Sequence, residues 1–153
     1  MSTSASLMSR PKPAQAYTVK QDSILIIDDD EALVDLLARR LQRYGYRTIT
    51  AGCGTEGLAK ARSLRPSIIV LDLRLPDADG LELCSQLVDS PETCVIPVII
   101  LSGLEDPEIV RRCRAAGSQY FLRKPYDPNA LLVLIRQAIR DCQNWQADDG
   151  NCL

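Results

Sequence analysis

Two stretches decide the fold: Ile24-Leu25-Ile26-Ile27-Asp28-Asp29-Asp30 and Ile68-Ile69-Val70-Leu71-Asp72. Each is a short apolar run, rich in β-branched residues, that stops abruptly at carboxylates. Such runs, with no polar alternation, read as strands buried on both faces, as in a parallel sheet. Ligand sites in open α/β sheets lie just past the carboxyl ends of the strands. If these two strands are neighbours, Asp28, Asp29 and Asp72 meet there and repel one another. A cluster of that kind persists only where a cation or a shared proton relieves it. The pattern points to a hard-metal site with one carboxylate left free for chemistry.

Outward from these runs the pattern alternates strand and helix. Strand one is Ile24–Asp28. The first helix carries Leu33, Leu36, Leu37, Leu41 and Tyr44 at helical spacing and closes at Gly45. Strand two is predicted over 46–51 and the second helix from about Thr55 to Leu64, with Leu58 and Ala61 inward. Strand three is Ile68–Asp72 and the third helix spans about 80–89. Strand four is predicted over 97–101. The fourth helix opens at Asp106-Pro107, with Pro in the favoured first position, and stops at Gly117. Strand five is predicted over 119–122 and the fifth helix over about 128–142. Five strands alternating with five helices imply a doubly wound α/β fold with a parallel sheet and right-handed crossovers. The pattern alone does not fix strand order. Placing Asp28 beside Asp72 requires strands one and three to be adjacent, as in the flavodoxin-like order 2-1-3-4-5.

Composition narrows the function. The chain has no histidine, which removes His-based acid–base chemistry and Ser-His-Asp triads. Its six cysteines form no C-x-x-C pair, so they read as reduced thiols of a cytoplasmic protein. A net charge of −2 gives no bulk attraction to nucleic acid or anionic lipid. No apolar stretch approaches the roughly 20 residues of a membrane helix. Residues 1–21, rich in Ser, Ala and Pro and lacking acids, read as a flexible tail, 22–142 as the folded domain, and 143–153 as a polar C-terminal tail.

The polar residues that stand out follow strands one, three, four and five, and so share one sheet edge. Asp30 is the expected N-cap of the first helix, with Glu31 in its first turn, which leaves Asp28 and Asp29 for the site. Carboxylates with retained water suit Mg²⁺. Lys124 is a compact cation that can pair with a carboxylate or a phosphoryl oxygen, and Ser102 and the Gly103 amide supply donors. Together these parts would hold a tetra-oxygen anion on Asp72.

Asp28-Asp29, the segment Asp72-Leu73-Arg74-Leu75-Pro76-Asp77-Ala78-Asp79-Gly80, Ser102-Gly103 and Lys124-Pro125 resemble the receiver domain of two-component response regulators, over about residues 22–142. The resemblance implies that Asp72 is the phosphoacceptor for a phosphohistidine. That group would come from a sensor histidine kinase or a histidine phosphotransfer protein. It implies Mg²⁺, or Mn²⁺ in its place, bound by Asp29 directly, Asp28 mostly through water, Asp72, and the backbone carbonyl of Arg74. Lys124 would bridge to the phosphoryl group, with Lys124-Pro125 a cis peptide. Ser102 and Phe121 would act as the switch pair, reshaping the face formed by the fourth helix, fifth strand and fifth helix for a downstream protein or a homodimer. Phe121 stands where relatives more often have Tyr. No helix-turn-helix pattern is present, so signalling by protein contact is expected, without direct nucleic-acid or membrane binding, and with no enzymatic activity beyond the chain's own phosphotransfer and slow dephosphorylation.

Three other readings compete. Gly52-Cys53-Gly54-Thr55-Glu56-Gly57 matches a dinucleotide fingerprint, with Asp72 near the offset expected of the ribose-binding acid. It follows the second strand, however, the chain lacks a second mononucleotide half, and the nearby acids would repel a pyrophosphate. A pseudo-receiver that binds protein without taking phosphate would not need this intact site. A haloacid-dehalogenase-type hydrolase would want an Asp two residues after the nucleophile, where this chain has Arg74. Asp77 and Asp79 read as turn and N-cap residues with no chemistry.

Overall fold

In the computed structural model, which describes residues 20–148, the buried apolar runs form the centre of a five-stranded parallel sheet. The strands are β1 (Ser23–Ile27), β2 (Arg47–Ala51), β3 (Ile68–Asp72), β4 (Val98–Ser102) and β5 (Tyr120–Arg123). Between and after them run α1 (Glu31–Arg43), α2 (Gly54–Leu64), α3 (Gly80–Asp89), α4 (Ile109–Ala115) and α5 (Pro128–Asp148). Strand order is β2-β1-β3-β4-β5, so β1 and β3 are neighbours. Ile27 pairs with Leu71, which sends Asp28 and Asp72 off the same edge side by side. Residues 1–19 of the expected N-terminal tail and residues 149–153 lie outside the described residues.

The unbroken apolar runs are explained by helices on both faces of the sheet. Alternate residues of a strand point to opposite sides. Ile24, Ile26, Ile68 and Val70 pack with Val34, Leu37 and Leu41 of α1 and Leu131, Ile135 and Ile139 of α5. Leu25, Ile27, Ile69 and Leu71 pack with Ala61 of α2, Leu83 and Leu87 of α3, and Ile109 of α4.

Three local expectations are corrected. The buried stripe of α1 is Val34, Leu37, Ala38 and Leu41, a clean i, i+3, i+4, i+7 set. Leu36 and Tyr44 are instead 69% and 46% exposed. Helix α4 starts at Ile109 rather than at Asp106-Pro107. The Asp106 carboxylate accepts the Glu108 N–H at 2.9 Å and pairs with Arg112 at 3.0 Å, so Asp106–Glu108 is a capped turn ahead of the helix. Helix α5 runs past Cys142 to Asp148, into the segment expected to be a tail. Gln143–Ala147 contains no Gly or Pro to stop it, and those residues extend the helix as an exposed overhang.

The glycine-rich segment before α2 is a packing device. The first-turn amides Gly54 N–H and Thr55 N–H donate to the two carboxylate oxygens of Asp77, at 2.7 and 3.0 Å, and the Thr55 hydroxyl donates at 2.7 Å. A pyrophosphate would need those same amides. A Cβ at Gly54 would stand 2.7 Å from Ala78 Cβ, and one at Gly57 would stand 2.6 Å from Ile27 Cδ1, so both glycines permit close approach to neighbouring elements.

The glycine contacts give a paired test. A Cβ at Gly80 would lie 2.5 Å from Leu73 Cα, whereas Gly52 has nothing within 4 Å. Gly80→Ala is expected to cost about 1–3 kcal/mol, as overpacking against backbone does. Gly52→Ala should be neutral in the same urea titration, and equal midpoint shifts for the two variants would contradict this packing.

Candidate functional site

Three strand ends build the site. The carbonyl edge of β1 delivers Asp28 and Asp29, β3 delivers Asp72, and β5 leads into Lys124. One carboxylate oxygen from each of Asp28, Asp29 and Asp72 falls within 4.8 Å of the others. Asp28 and Asp72 are buried, while Asp29 is exposed. Lys124 Nζ donates to Asp28 Oδ2 and Asp72 Oδ2, 3.2 Å from each. The other oxygens of the buried pair take backbone donors: Asp28 Oδ1 accepts the Asp30 N–H at 3.0 Å, and Asp72 Oδ1 accepts the Arg74 N–H at 3.2 Å.

Lys124 reaches the acids because its own N–H donates to the Ser102 carbonyl at 2.9 Å, continuing the β4–β5 ladder. Its peptide bond to Pro125 is cis. Ser102 is buried, and its Oγ accepts the Leu104 N–H at 3.1 Å. Asp30 caps α1, accepting the Leu33 N–H at 3.2 Å. Asp79 caps α3, accepting the Leu81 N–H at 2.9 Å. Phe121 is not among the charged groups: it lies half-buried on β5 against the α3–α4 side of the core.

Electrostatics ranks the members. Burial lifts the Asp28 carboxyl above its ordinary range and the charge of Asp72 adds to this, against the opposing pull of the Asp30 amide and Lys124. Burial alone would lower the Lys124 ammonium, but the charges of Asp72 and Asp28 outweigh it and hold the group above its usual value. An open cleft lined by Asp28, Glu31, Asp35 and Glu56 adjoins the cluster and adds negative potential. The clustered side-chain donors are all carboxylate oxygens, with no thiolate or imidazole among them, a set that fits a hard ion such as Mg²⁺. The Asp29 carboxylate makes no hydrogen bond among the described residues, which leaves it free for such an ion. The sequence gives no signal of what Asp77 contacts. Its carboxylate spans to α2, 22 residues away from Thr55 in the chain, and no local motif signals that contact.

A doubly wound sheet with a lysine-bridged carboxylate cluster at its carboxyl edge is the architecture of a receiver-type signalling module. Residues 24–136 match the response regulator receiver domain, and the chain belongs to that family. It is 34% identical over 117 residues to the alkaline phosphatase synthesis transcriptional regulatory protein PhoP of Bacillus subtilis, covering 76% of this chain and 48% of that protein. It is 38% identical over 117 residues to the DNA-binding dual master transcriptional regulator RpaA of Synechocystis, again covering 76% and 48%. The chain thus spans about half the length of these curated relatives. Among solved structures, it is similar to a CheY-like receiver domain from Methanospirillum hungatei, with a TM-score of 0.76 and 28% identity, covering 81% of this chain and 98% of that one. It is similar also to the chemotaxis regulator CheY4 of Vibrio cholerae, with a TM-score of 0.72 and 28% identity, covering 77% and 98%. No helix among the described residues is long and apolar enough to cross a membrane.

The raised Asp28 carboxyl sets a pH test. A carboxyl that titrates higher when folded than its ordinary 3.8 costs stability once ionised, so that cost appears as pH rises through the raised value. Asp28→Asn should therefore raise the melting temperature of the metal-free protein near neutral pH, with Lys124 still paired to Asp72. The gain should vanish below pH 3.8, where the wild-type carboxyl is itself protonated. A gain that is constant across that range, or absent throughout, would show that ionised Asp28 carries no such cost.

Proposed function

We propose that the chain is a phosphoacceptor receiver in which Asp72 takes a phosphoryl group from a phosphohistidine. The supporting observation is the shared Lys124 ammonium, 3.2 Å from both Asp72 Oδ2 and Asp28 Oδ2, with Asp29 alongside. An Asp72 carboxylate oxygen attacks phosphorus. The P–N bond to the donor imidazole breaks, its electron pair returns to that nitrogen, and an acyl phosphate is left on Asp72. Asp28, Asp29, Asp72 and the Arg74 carbonyl would hold Mg²⁺, which supplies charge neutralisation for the transferring group. Lys124 stays near Asp72 to pair with a phosphoryl oxygen, and the Ser102 hydroxyl, whose Oγ accepts the Leu104 N–H and whose own proton is free of that contact, would turn to donate to another. The donor would be a sensor histidine kinase or a histidine phosphotransfer protein in the cytoplasm. The readout would be a protein target meeting the α4-β5-α5 face.

Intact-mass measurement after treatment with acetyl phosphate tests this. One hydroxylamine-labile phosphoryl adduct is expected with Mg²⁺ and none with EDTA, and Asp72→Asn should abolish it. An adduct of wild-type yield on Asp72→Asn would refute the assignment. No adduct on the wild-type chain would favour a phosphate-independent protein-binding module.

The lifetime of the adduct should be long. Arg74 and Leu104 each stand two positions beyond a site residue, Asp72 and Ser102, where in a receiver they would border the path of an attacking water. Leu104 is half-buried against the core and cannot hydrogen-bond a water through its side chain. Arg74, exposed, can neutralise phosphoryl oxygens without orienting a nucleophile. Arg74→Asn combined with Leu104→Glu is expected to shorten the lifetime roughly tenfold, about 1.4 kcal/mol of barrier. Decay on a phosphoprotein gel at fixed Mg²⁺ measures it, and an unchanged half-life would show that these side chains do not govern water access.

A further inference from the structure

The loop from Leu73 to Asp79 is closed at its base and fastened at its tip. At the base, Arg74 and Asp79 form an antiparallel bridge, and the Gly80 N–H donates to the Leu73 carbonyl at 3.2 Å. At the tip, Asp77 accepts three hydrogen bonds from Gly54 and Thr55 at the start of α2. The helix's own cap residue, Cys53, makes no side-chain capping bond, so Asp77 supplies the cap from another segment. Ala78 presses on the same turn, close enough that Gly54 has no room for a Cβ. Helix α2 is in turn seated on β1 through the contact of Gly57 with Ile27, the residue immediately before Asp28. A continuous chain of contacts therefore runs from the loop after β3, through Asp77 and α2, to the end of β1.

We propose that Asp77 is a positioning residue for the divalent-ion site, fixing the loop that carries the Arg74 carbonyl against the strand end that carries Asp28 and Asp29. It does not touch the ion. The proposal rests on the ion-binding reading given above. A loop already tied in place gives up less conformational freedom when its carbonyl ligates an ion, and that saving appears as affinity. The donors on Thr55 and Gly54 also hold the Asp77 carboxyl down at about 2, so the charged cap persists well into acid.

Mn²⁺ binding to the full chain, read as loss of the free-ion electron paramagnetic resonance signal, tests the assignment without requiring phosphorylation. Asp77→Ala is expected to weaken Mn²⁺ affinity roughly tenfold, the scale of losing a group that orients a ligand. Asp77→Asn, which keeps one acceptor oxygen, should lose less and serves if the alanine variant does not fold. The control is Ser67→Ala. It removes two hydrogen bonds at the opposite edge of the sheet, with the Ser23 amide and with Asp22, and should leave the affinity unchanged. Amide hydrogen exchange at Gly54 and Thr55 verifies that the cap is gone. Wild-type affinity in a variant whose cap has opened overturns the proposal, as does an equal loss in Ser67→Ala. A wild-type chain that does not bind Mn²⁺ at all removes the ion-binding reading itself, an outcome distinct from those two.

Discussion

One ammonium group holds the carboxyl edge of this sheet together. Lys124 Nζ sits 3.2 Å from a carboxylate oxygen of both Asp28 and Asp72, two buried acids that adjacent strands deliver to the same place. Leaving either buried charge unpaired would be costly, because removing one partner strands the other with little solvent around it. The pairing depends in turn on three features of the sheet. Strands β1 and β3 must be neighbours in register, β4 must lie between β3 and β5, and β5 must end where Lys124 can reach back across Ser102. The site is therefore a consequence of strand order, and a different winding of the same elements would scatter it. Neutralisation is incomplete, since three carboxylates face one lysine. That residual charge is the physical reason for a cation to be welcome there.

The apolar runs made the central strands and the site edge legible in the sequence. Ile24–Ile27 and Ile68–Leu71 have no polar alternation because helices cover both faces, and their abrupt ends at acids mark the edge where Asp28, Asp29 and Asp72 come together. Boundaries set by tertiary contacts were less legible. The start of α4 depends on the Asp106 carboxylate choosing the Glu108 amide and Arg112, a competition that the favoured Pro107 position does not reveal. The overhang over Gln143–Ala147 is exposed, with no apolar stripe to announce it. In α1 the apolar residues offered more than one stripe, and packing selected Val34, Leu37, Ala38 and Leu41 while leaving Leu36 in solvent.

The glycine-rich start of α2 shows why a local motif needs its surroundings. Its spacing satisfies a dinucleotide fingerprint, and it does follow a strand and open a helix. In the fold, however, the positive end of that helix is taken by the Asp77 carboxylate, and the glycines admit Ala78 and Ile27 rather than a phosphate. The chemistry of a helix N-terminus attracting an anion is unchanged. What differs is that the anion is a side chain of the same molecule, and its binding energy serves to fix a loop.

The two buried acids are coupled because they share one cation. Each has one oxygen held by a backbone amide of its own loop and the other by Lys124, so neither can change its charge or partner without changing what the other receives. Negative charge added at Asp72 would compete with Asp28 for the ammonium, and burial already pushes the Asp28 carboxyl upward. An ion at Asp29 would compensate Asp28 as the lysine shifts. Lys124 is the first residue after β5, and the same strand carries Phe121 against the α3–α4 side of the core. The strand that leads into the ammonium is thus also the strand whose Phe121 packs against that side of the core. A change of charge at the acids would therefore act on a strand that is itself packed into the core, without any need for a longer route.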